Sequence, residues 1–347
     1  MKHDPVGGIR YPFETPPEPG KAIEIAESVL WMRLPLPMAL DHVNIFALDD
    51  ADGWTVVDTG FDSRKSRTVW EALLTGPLAG KPVARVLVTH HHPDHIGLAG
   101  WFQSRGAELL TTRTAWLYAR MLTLDAQDRP VAEQLAFWQG AGMPPDLLER
   151  RRTERPFNFA DVVAPLPVGF TRIRDGQQLR LGGRDWLVRT GGGHAPEQAT
   201  LWQVDGPLIL GADQLLPSIS ANIGVYATEP MADPLEDWLT SCRSFLPHAR
   251  PDHLVLPGHK LPFTGLPLRL RQMIENHEGA LARLLDHLTE QQSATECFLP
   301  VFGRQIEGDA YGLALVEAVA HLNHLLHQGR ITRTMGPDGA WRWQRYE

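Results

Sequence analysis

Between Ile23 and Thr264 the apolar residues come in short runs, each stopped by a polar or glycine-rich group. Examples are Val43-Asn44-Ile45-Phe46-Ala47-Leu48, Trp54-Thr55-Val56-Val57, Ala84-Arg85-Val86-Leu87-Val88, Leu208-Ile209-Leu210-Gly211-Ala212 and Leu254-Val255-Leu256-Pro257. Runs this short and this apolar read as strands buried in a sheet. A helix is expected near 64–75 and another from Pro93 to Arg105, where an early proline is well placed because the N–H it lacks is unpaired there anyway. Residues 114–165 break the rhythm, with helical segments around Trp116–Leu124 and Val131–Gly140 and a proline-rich return. They read as an insertion over one edge of the sheet. Strands resume from Val168 to about Thr264.

The two ends differ from this middle. Residues 1–20 are rich in proline and glycine and read as an extended arm. From Leu266 to Gln292, Leu270, Ile274, Leu281, Leu284, Leu285 and Leu288 recur at helical spacing, and a second helix is expected over Ala310–Gln328. The segment Arg330–Trp343 reads as a hairpin turning at Gly336–Gly339. Helices followed by a two-stranded wing resemble a winged-helix module. The expected organisation is therefore an arm at 1–20, a body at 21–265 carrying the insertion at 114–165, and a C-terminal module at 266–347.

The strand ends carry the chemistry. Ala84–Val88 runs into Thr89-His90-His91-His92-Pro93-Asp94-His95. Imidazole and carboxylate are the ligands of zinc and similar divalent ions, and so many in one turn exceed what packing requires. Further downstream, His194 lies in the glycine-rich turn Gly191-Gly192-Gly193-His194, Asp213 follows Ala212, and His259 follows Gly258. Upstream, Asp58 closes the run at Val57 and precedes Thr59-Gly60.

The pattern His-x-His-x-Asp-His, with these later residues in order, resembles the metallo-β-lactamase superfamily of metallohydrolases. The resemblance implies an α+β fold, a four-layer αββα sandwich of two mixed sheets. It implies that His90, His92 and His194 hold one metal ion, that Asp94, His95 and His259 hold a second, and that Asp213 bridges them. Asp58 would brace the histidine loop. Two divalent ions are expected, zinc first, with iron or manganese also suited to mixed nitrogen and oxygen ligands. In that scheme a bridging hydroxide, oriented by Asp94, attacks a carbonyl, so Asp94 and Asp213 are the expected catalytic carboxylates. True class B β-lactamases carry cysteine or serine where this chain has Asp213, which disfavours β-lactams. His92 stands where oxygen-reducing di-iron members have glutamate. Too few residues separate Asp213 from His259 for the nuclease cap domain. What remains resembles the glyoxalase II and lactonase-like hydrolases of esters and thioesters. A phosphodiesterase or nuclease on the same metals, and a mononuclear-iron persulfide dioxygenase, stand as alternatives.

Composition changes this picture little. The chain has 347 residues, 43% hydrophobic and 21% charged, as an ordinary globular enzyme does. Its net charge of −8 disfavours nucleic acid and anionic membrane as partners. The C-terminal module from 266 to 347 holds eight arginines, no lysine and ten acids, no footprint for a phosphate backbone. Packing or a homodimer contact is the expected role of that module. No signal segment is expected, no apolar window suits a membrane span, and two cysteines, Cys242 and Cys297, suit a reducing cytoplasm.

Other features are weighed against blander roles. His321, His324 and His327 form a helical ladder without an acid beside it, expected to be a partly exposed face. His91 is expected to pack or support the loop. Arg150, Arg151, Arg152 and Arg155 read as a solvated helix end, or as phosphate ligands. His42, before a strand whose preceding loop flanks the site in the family, is a candidate substrate contact. Trp101, Trp116 and Trp138 read as core or insertion packing rather than a ligand box; as a whole the insertion's apolar residues, Trp116, Leu117, Met121, Phe137 and Trp138, are expected to wall a largely apolar cleft or to serve a dimer interface.

Overall fold

The computed structural model describes residues 8–346. Its first half contains β1 (Ile23–Ala26), β2 (Val29–Pro35), β3 (His42–Asp50), β4 (Gly53–Val57), α1 (Arg64–Thr75), β5 (Val83–Leu87), α2 (Pro93–Ile96), α3 (Ala99–Gln103) and β6 (Glu108–Thr111). Then come α4 (Arg113–Leu124), α5 (Ala132–Gly140), α6 (Pro145–Thr153) and β7 (Thr171–Arg172). The second half holds β8 (Gln178–Leu181), β9 (Arg184–Gly191), β10 (Gln198–Gln203), β11 (Leu208–Ala212), α7 (Pro234–Phe245) and β12 (Leu254–Pro257). The chain closes with α8 (Leu266–His287), α9 (Phe298–Phe302), α10 (Tyr311–His327), β13 (Ile331–Met335) and β14 (Trp341–Arg345).

Strands β1 to β7 form one sheet in sequence order, antiparallel as far as β4 and parallel from β4 to β7. The second sheet runs β12-β11-β10-β9-β8, with only the β11–β12 pair parallel. Side chains alternate faces along a strand, and the sequence exploits this on both sheets. Trp31, Phe46, Leu48, Val57, Leu87 and Leu110 of the first sheet share one core with Trp186, Val188, Leu201, Leu210 and Leu256 of the second. Their neighbours Met32, Ile45, Val56, Val86 and Leu109 turn the other way, onto Trp70, Leu73 and Phe102 of the helices. Trp202, Ile209 and Val255 face outward from the second sheet, onto α7 and the C-terminal helices. The result is helix, sheet, sheet, helix.

Several expectations change. The helix expected from Pro93 to Arg105 is two short ones. Between them the Leu98 amide donates to Thr59 Oγ1 at 3.0 Å and the Gly97 carbonyl accepts from the Ala164 amide at 2.7 Å, so bonds from outside compete with the helical ladder. The insertion contains a third helix, α6, and reaches further than one sheet edge. Trp116 and Ala119 of α4 join the core outside the first sheet, whereas Phe137 and Leu148 of α5 and α6 join the core outside the second. The first C-terminal helix stops at His287, and α9 follows it. In the N-terminal arm, residues 1–7 lie outside the described residues, while Arg10 pairs with Thr264 and Phe13 meets Trp31 edge-on. The turn at Gly336–Gly339 forms, closed by the Gly336 amide on Ala340 O at 2.8 Å. No helix among the described residues is long and apolar enough to cross a membrane.

The histidine ladder on α10 is also placed differently. His321 and His324 are buried, and only the third, His327, is exposed. This helix is apolar on nearly every face because α7, α8 and α9 surround it. His321 Nδ1 donates to the Glu317 carbonyl at 2.9 Å, and His324 Nδ1 lies 3.0 Å from Asp233 Oδ1. An acid does accompany the ladder, supplied from outside its own helix.

Candidate metal centre

Strand termini deliver the donors. The turn after β5 carries His90 and His92, and α2 carries Asp94 and His95. His194 follows β9, Asp213 follows β11 directly, and His259 follows β12. Crevices at the carboxyl ends of parallel strands are where mixed sheets place ligands, since loops there are free to carry function.

Three imidazoles meet first. His90 Nε2 lies 3.1 Å from His92 Nδ1, which lies 2.9 Å from His194 Nε2. Asp94 Oδ2 lies 3.3 Å from His259 Nε2 and 3.6 Å from His95 Nε2. Asp213 stands between the groups: its Oδ2 is 3.4 Å from His194 Nε2 and 3.2 Å from His259 Nε2, and its Oδ1 is 3.5 Å from His95 Nε2. Within each triad the donor atoms lie inside 4.8 Å of one another.

Partners on the far side of the rings fix which nitrogens hold protons. His194 Nδ1 donates to the Asn222 carbonyl at 2.8 Å and His259 Nδ1 to the His42 carbonyl at 2.8 Å. A carbonyl can only accept, so in the neutral rings both Nε2 atoms turn lone pairs inward. His95 Nδ1 faces Asp58 Oδ2 at 2.8 Å, and His90 Nδ1 lies 3.0 Å from Thr89 Oγ1, whose own proton goes to Asp58. Lone pairs converging on one point from several rings repel unless a cation sits among them. His95 Nε2 and Asp213 Oδ1 are buried without a hydrogen-bond partner, which native structures rarely tolerate. A divalent cation satisfies both, so the donor set fits a metal.

The electrostatics agree. Burial, followed by the neighbouring imidazoles, pushes His90 and His92 well below the usual histidine range, so they stay neutral and ligand-ready. Burial alone would raise Asp213, but His259 and His95 outweigh it and hold the carboxyl well below its ordinary value. Asp94 is lowered likewise, with His95 and His259 overcoming burial. Conversely, Asp213, Asp94 and Asp58 overcome burial at His95 and raise it well above the ordinary value. Without a cation the pocket holds its acids charged and recruits protons to balance them.

Backbone strain concentrates here. Asp58 has φ 63°, Ala212 beside Asp213 has φ 46°, and Lys260 beside His259 has φ 71°. Each left-handed non-glycine residue costs about 1–3 kcal/mol and persists only where its surroundings impose it. At Gly258 a Cβ would stand 2.2 Å from Asp213 Oδ1 and 2.9 Å from His95 Cε1, so no side chain fits.

His42 packs beside the candidate metal centre, its ring 6.3 Å from that of His259. Its Nε2 accepts from the Lys260 amide at 2.9 Å and its Nδ1 meets Asp41 Oδ1 at 2.6 Å, so both ring nitrogens are committed. Burial then lowers it to about 4, which keeps it neutral. Asn44 was not anticipated. Its Nδ2 donates to Pro257 O and Lys260 O, both at 2.9 Å, clamping the loop that carries His259. A lone amide inside an apolar strand run was the available signal. Thr89, beside the motif, bonds both Asp58 and His90, but an uncharged hydroxyl gives no such signal in the sequence.

One flank is aromatic. His91, next to His92, lies 5.2 Å from Tyr118 and 6.3 Å from Phe159, and Phe159 meets Phe157 at 6.0 Å. Phe157 is 63% exposed, and Leu117 and Met121 on α4 are exposed as well. Trp138 is not brought here: it is partly buried against the core outside the second sheet. Arg150 and Arg151 pair with Glu154, Arg152 with Glu149 and Arg155 with Asp161, a surface of matched charges.

Residues 38–259 match the family model "Metallo-beta-lactamase superfamily", and residues 281–346 match "Metallo-beta-lactamase-like, C-terminal domain". A β-lactamase domain protein from Burkholderia ambifaria is 35% identical, with TM-score 0.89 over 97% of this chain and 98% of that one. A metallo-β-lactamase family protein from Thermus thermophilus is 26% identical, with TM-score 0.77 over 93% of this chain and 100% of that one. The probable metallo-hydrolase YqjP of Bacillus subtilis is 26% identical over 88% of this chain and 94% of its own.

Proposed function

The chain belongs to the metallo-β-lactamase superfamily, and on that premise we propose that it is a metal-dependent hydrolase of an ester or thioester carbonyl, working with two divalent ions, zinc first. One observation carries this reading: two triads of donors, His90-His92-His194 and Asp94-His95-His259, share Asp213 between them. A bound pair of divalent ions polarises a carbonyl and supplies a nucleophilic water near neutral pH.

The residues then divide the work. Three neutral imidazoles in the first triad add no charge, and Asp94 and Asp213 offset only part of the charge of two divalent ions. The site stays positive, which favours an oxyanion developing in the transition state. Asp94, whose Oδ2 lies 3.3 Å from His259 Nε2, would orient an attacking water and accept its proton. Asp213 fixes the spacing of the two triads. The aromatic flank from His91 to Phe157 favours acyl or aromatic groups over small charged ones, because burying apolar area from water is favourable by about 25 cal/mol per Å².

The test is a metal-loaded protein offered thioesters, esters, lactones, phosphodiesters and a persulfide, with elemental analysis alongside. Two ions per chain and carbonyl hydrolysis are expected, with hydrolysis abolished in a folded Asp213→Ala variant. One ion in a fully active protein would reject the shared-carboxylate scheme. Preferential phosphodiester turnover, or oxygen uptake on the persulfide, would reject the substrate class.

A further inference from the structure

The far-side contacts that orient the metal-facing rings are unequal. Those of His90, His95 and His259 come from Thr89, Asp58 and His42, all at or within two residues of the ends of first-sheet strands. That of His194 is the carbonyl of Asn222, which lies in the irregular stretch between β11 and α7. Such a stretch has no ladder of its own to hold it.

It is held by α10. Asn222 Nδ2 donates to Glu317 Oε2 at 2.7 Å and to the Leu313 carbonyl at 3.1 Å, and the Val225 amide donates to the Val316 carbonyl at 3.1 Å. Leu313, Val316 and Glu317 all belong to α10. A Cβ on Gly224 would stand 2.9 Å from Val316 Cγ2, so the loop lies flat on the helix. Glu317 is the one acid on α10, next to the buried Val316 and Ala318. Burial raises its carboxyl to about 7, against the lowering effect of the Asn222 amide. An acid kept in such a place needs a role, and its one side-chain partner among the described residues is Asn222.

We propose that Glu317 is a positioning residue for the metal centre: through Asn222, the C-terminal helix α10 fixes the carbonyl that orients His194. This rests on His194 being a metal ligand, as proposed above. The C-terminal segment then completes the first triad's geometry, beyond any part it has in packing. Partners of this kind typically contribute 10–100-fold to metal affinity.

Zinc affinity of the metal-free full-length protein, measured by competition with a chromophoric chelator, tests this. Glu317→Leu removes the acceptor and is expected to weaken zinc binding at least tenfold. Glu317→Gln keeps an acceptor oxygen toward the Asn222 amide and should restore affinity to within about threefold of the parent. Asn222→Ala keeps the backbone carbonyl but loses the staple; it should weaken binding as Glu317→Leu does, and the double variant should be no weaker than either single one. Unfolding temperatures of the metal-free variants report the fold separately, and if Glu317→Leu does not fold, Asn222→Ala carries the test. Parent-like zinc affinity in Asn222→Ala, or in a folded Glu317→Leu, would overturn the inference. So would Glu317→Gln binding as weakly as Glu317→Leu, or additive losses in the double variant. His194→Ala is the control: parent-like affinity there would sink the ligand assignment itself and the inference with it.

Discussion

Asp58 reaches the donor set from several sides at once. It accepts from the Thr89 amide at 2.8 Å, from Thr89 Oγ1 at 2.9 Å and from His95 Nδ1 at 2.8 Å, while its own backbone sits at φ 63°. A carboxylate that accepts everything around it has no lone pair to spare for a metal, and its work is to set ring orientation. Asp58→Asn replaces one acceptor oxygen with a donor facing Thr89 or His95. The expected result is a 10–100-fold loss of metal affinity with the reaction type unchanged, and parent-like metal content and activity would refute the bracing role. Gly258 makes a sharper case, because a methyl group there overlaps Asp213 Oδ1. Gly258→Ala should fold yet lose metal on dialysis, as judged by elemental analysis. Full retention would mean that Asp213 can move aside and still ligate.

At the scale of elements, strands and the turns that carry the histidines were legible because both signals are local. Alternation along β2, β3 and β5 follows from side chains pointing to opposite faces, and His90 to His95 lie within one turn of chain. What escaped was set by contacts distant in sequence. The break between α2 and α3 depends on Thr59 and Ala164, and the burial of His321 and His324 depends on helices packed from elsewhere. His42 and Trp138 show the same limit: a residue type suggests an aromatic or polar contact, but only packing decides with whom. The insertion consequently has two jobs. Its α4 side and residues 157–159 flank the site, whereas Trp138 supports the core. Phe157→Ala should therefore raise KM for longer acyl or aromatic esters more than for acetyl ones, with thermal stability little changed. Trp138→Ala should do the reverse, destabilising the fold by about 2–4 kcal/mol, since truncating a core tryptophan costs about 3–5 and this one is partly exposed. Equal chain-length preferences in the Phe157 variant and the parent would remove the aromatic flank from the substrate site.

At the scale of the whole molecule, the C-terminal helices and the second sheet are one body of apolar contacts. Leu235, Leu239 and Cys242 of α7 share a core with Leu270, Leu284, Leu315, Leu322 and Trp343, and Phe137 of the insertion meets Trp341 of the terminal hairpin at 5.8 Å. A hairpin bound in this way is part of the packing. Because α7 covers the second sheet and α8 and α10 in turn cover α7, their removal would strip α7 of its outer packing, and the layer over that sheet should not survive it. A chain ending at Gly265 exposes the apolar face of α7 and is expected to lose its near-ultraviolet circular dichroism, bind a hydrophobic dye and retain no zinc. The intact chain should instead melt in a single transition. Zinc at 100 times its dissociation constant should raise its stability by about 2.7 kcal/mol per independent site, because the ion binds the folded state and not the unfolded one. Chelation should reverse that gain. A truncated chain that melts cooperatively with zinc bound would show that the two-sheet body stands alone, and the shared core would then be a docked surface rather than a condition of folding.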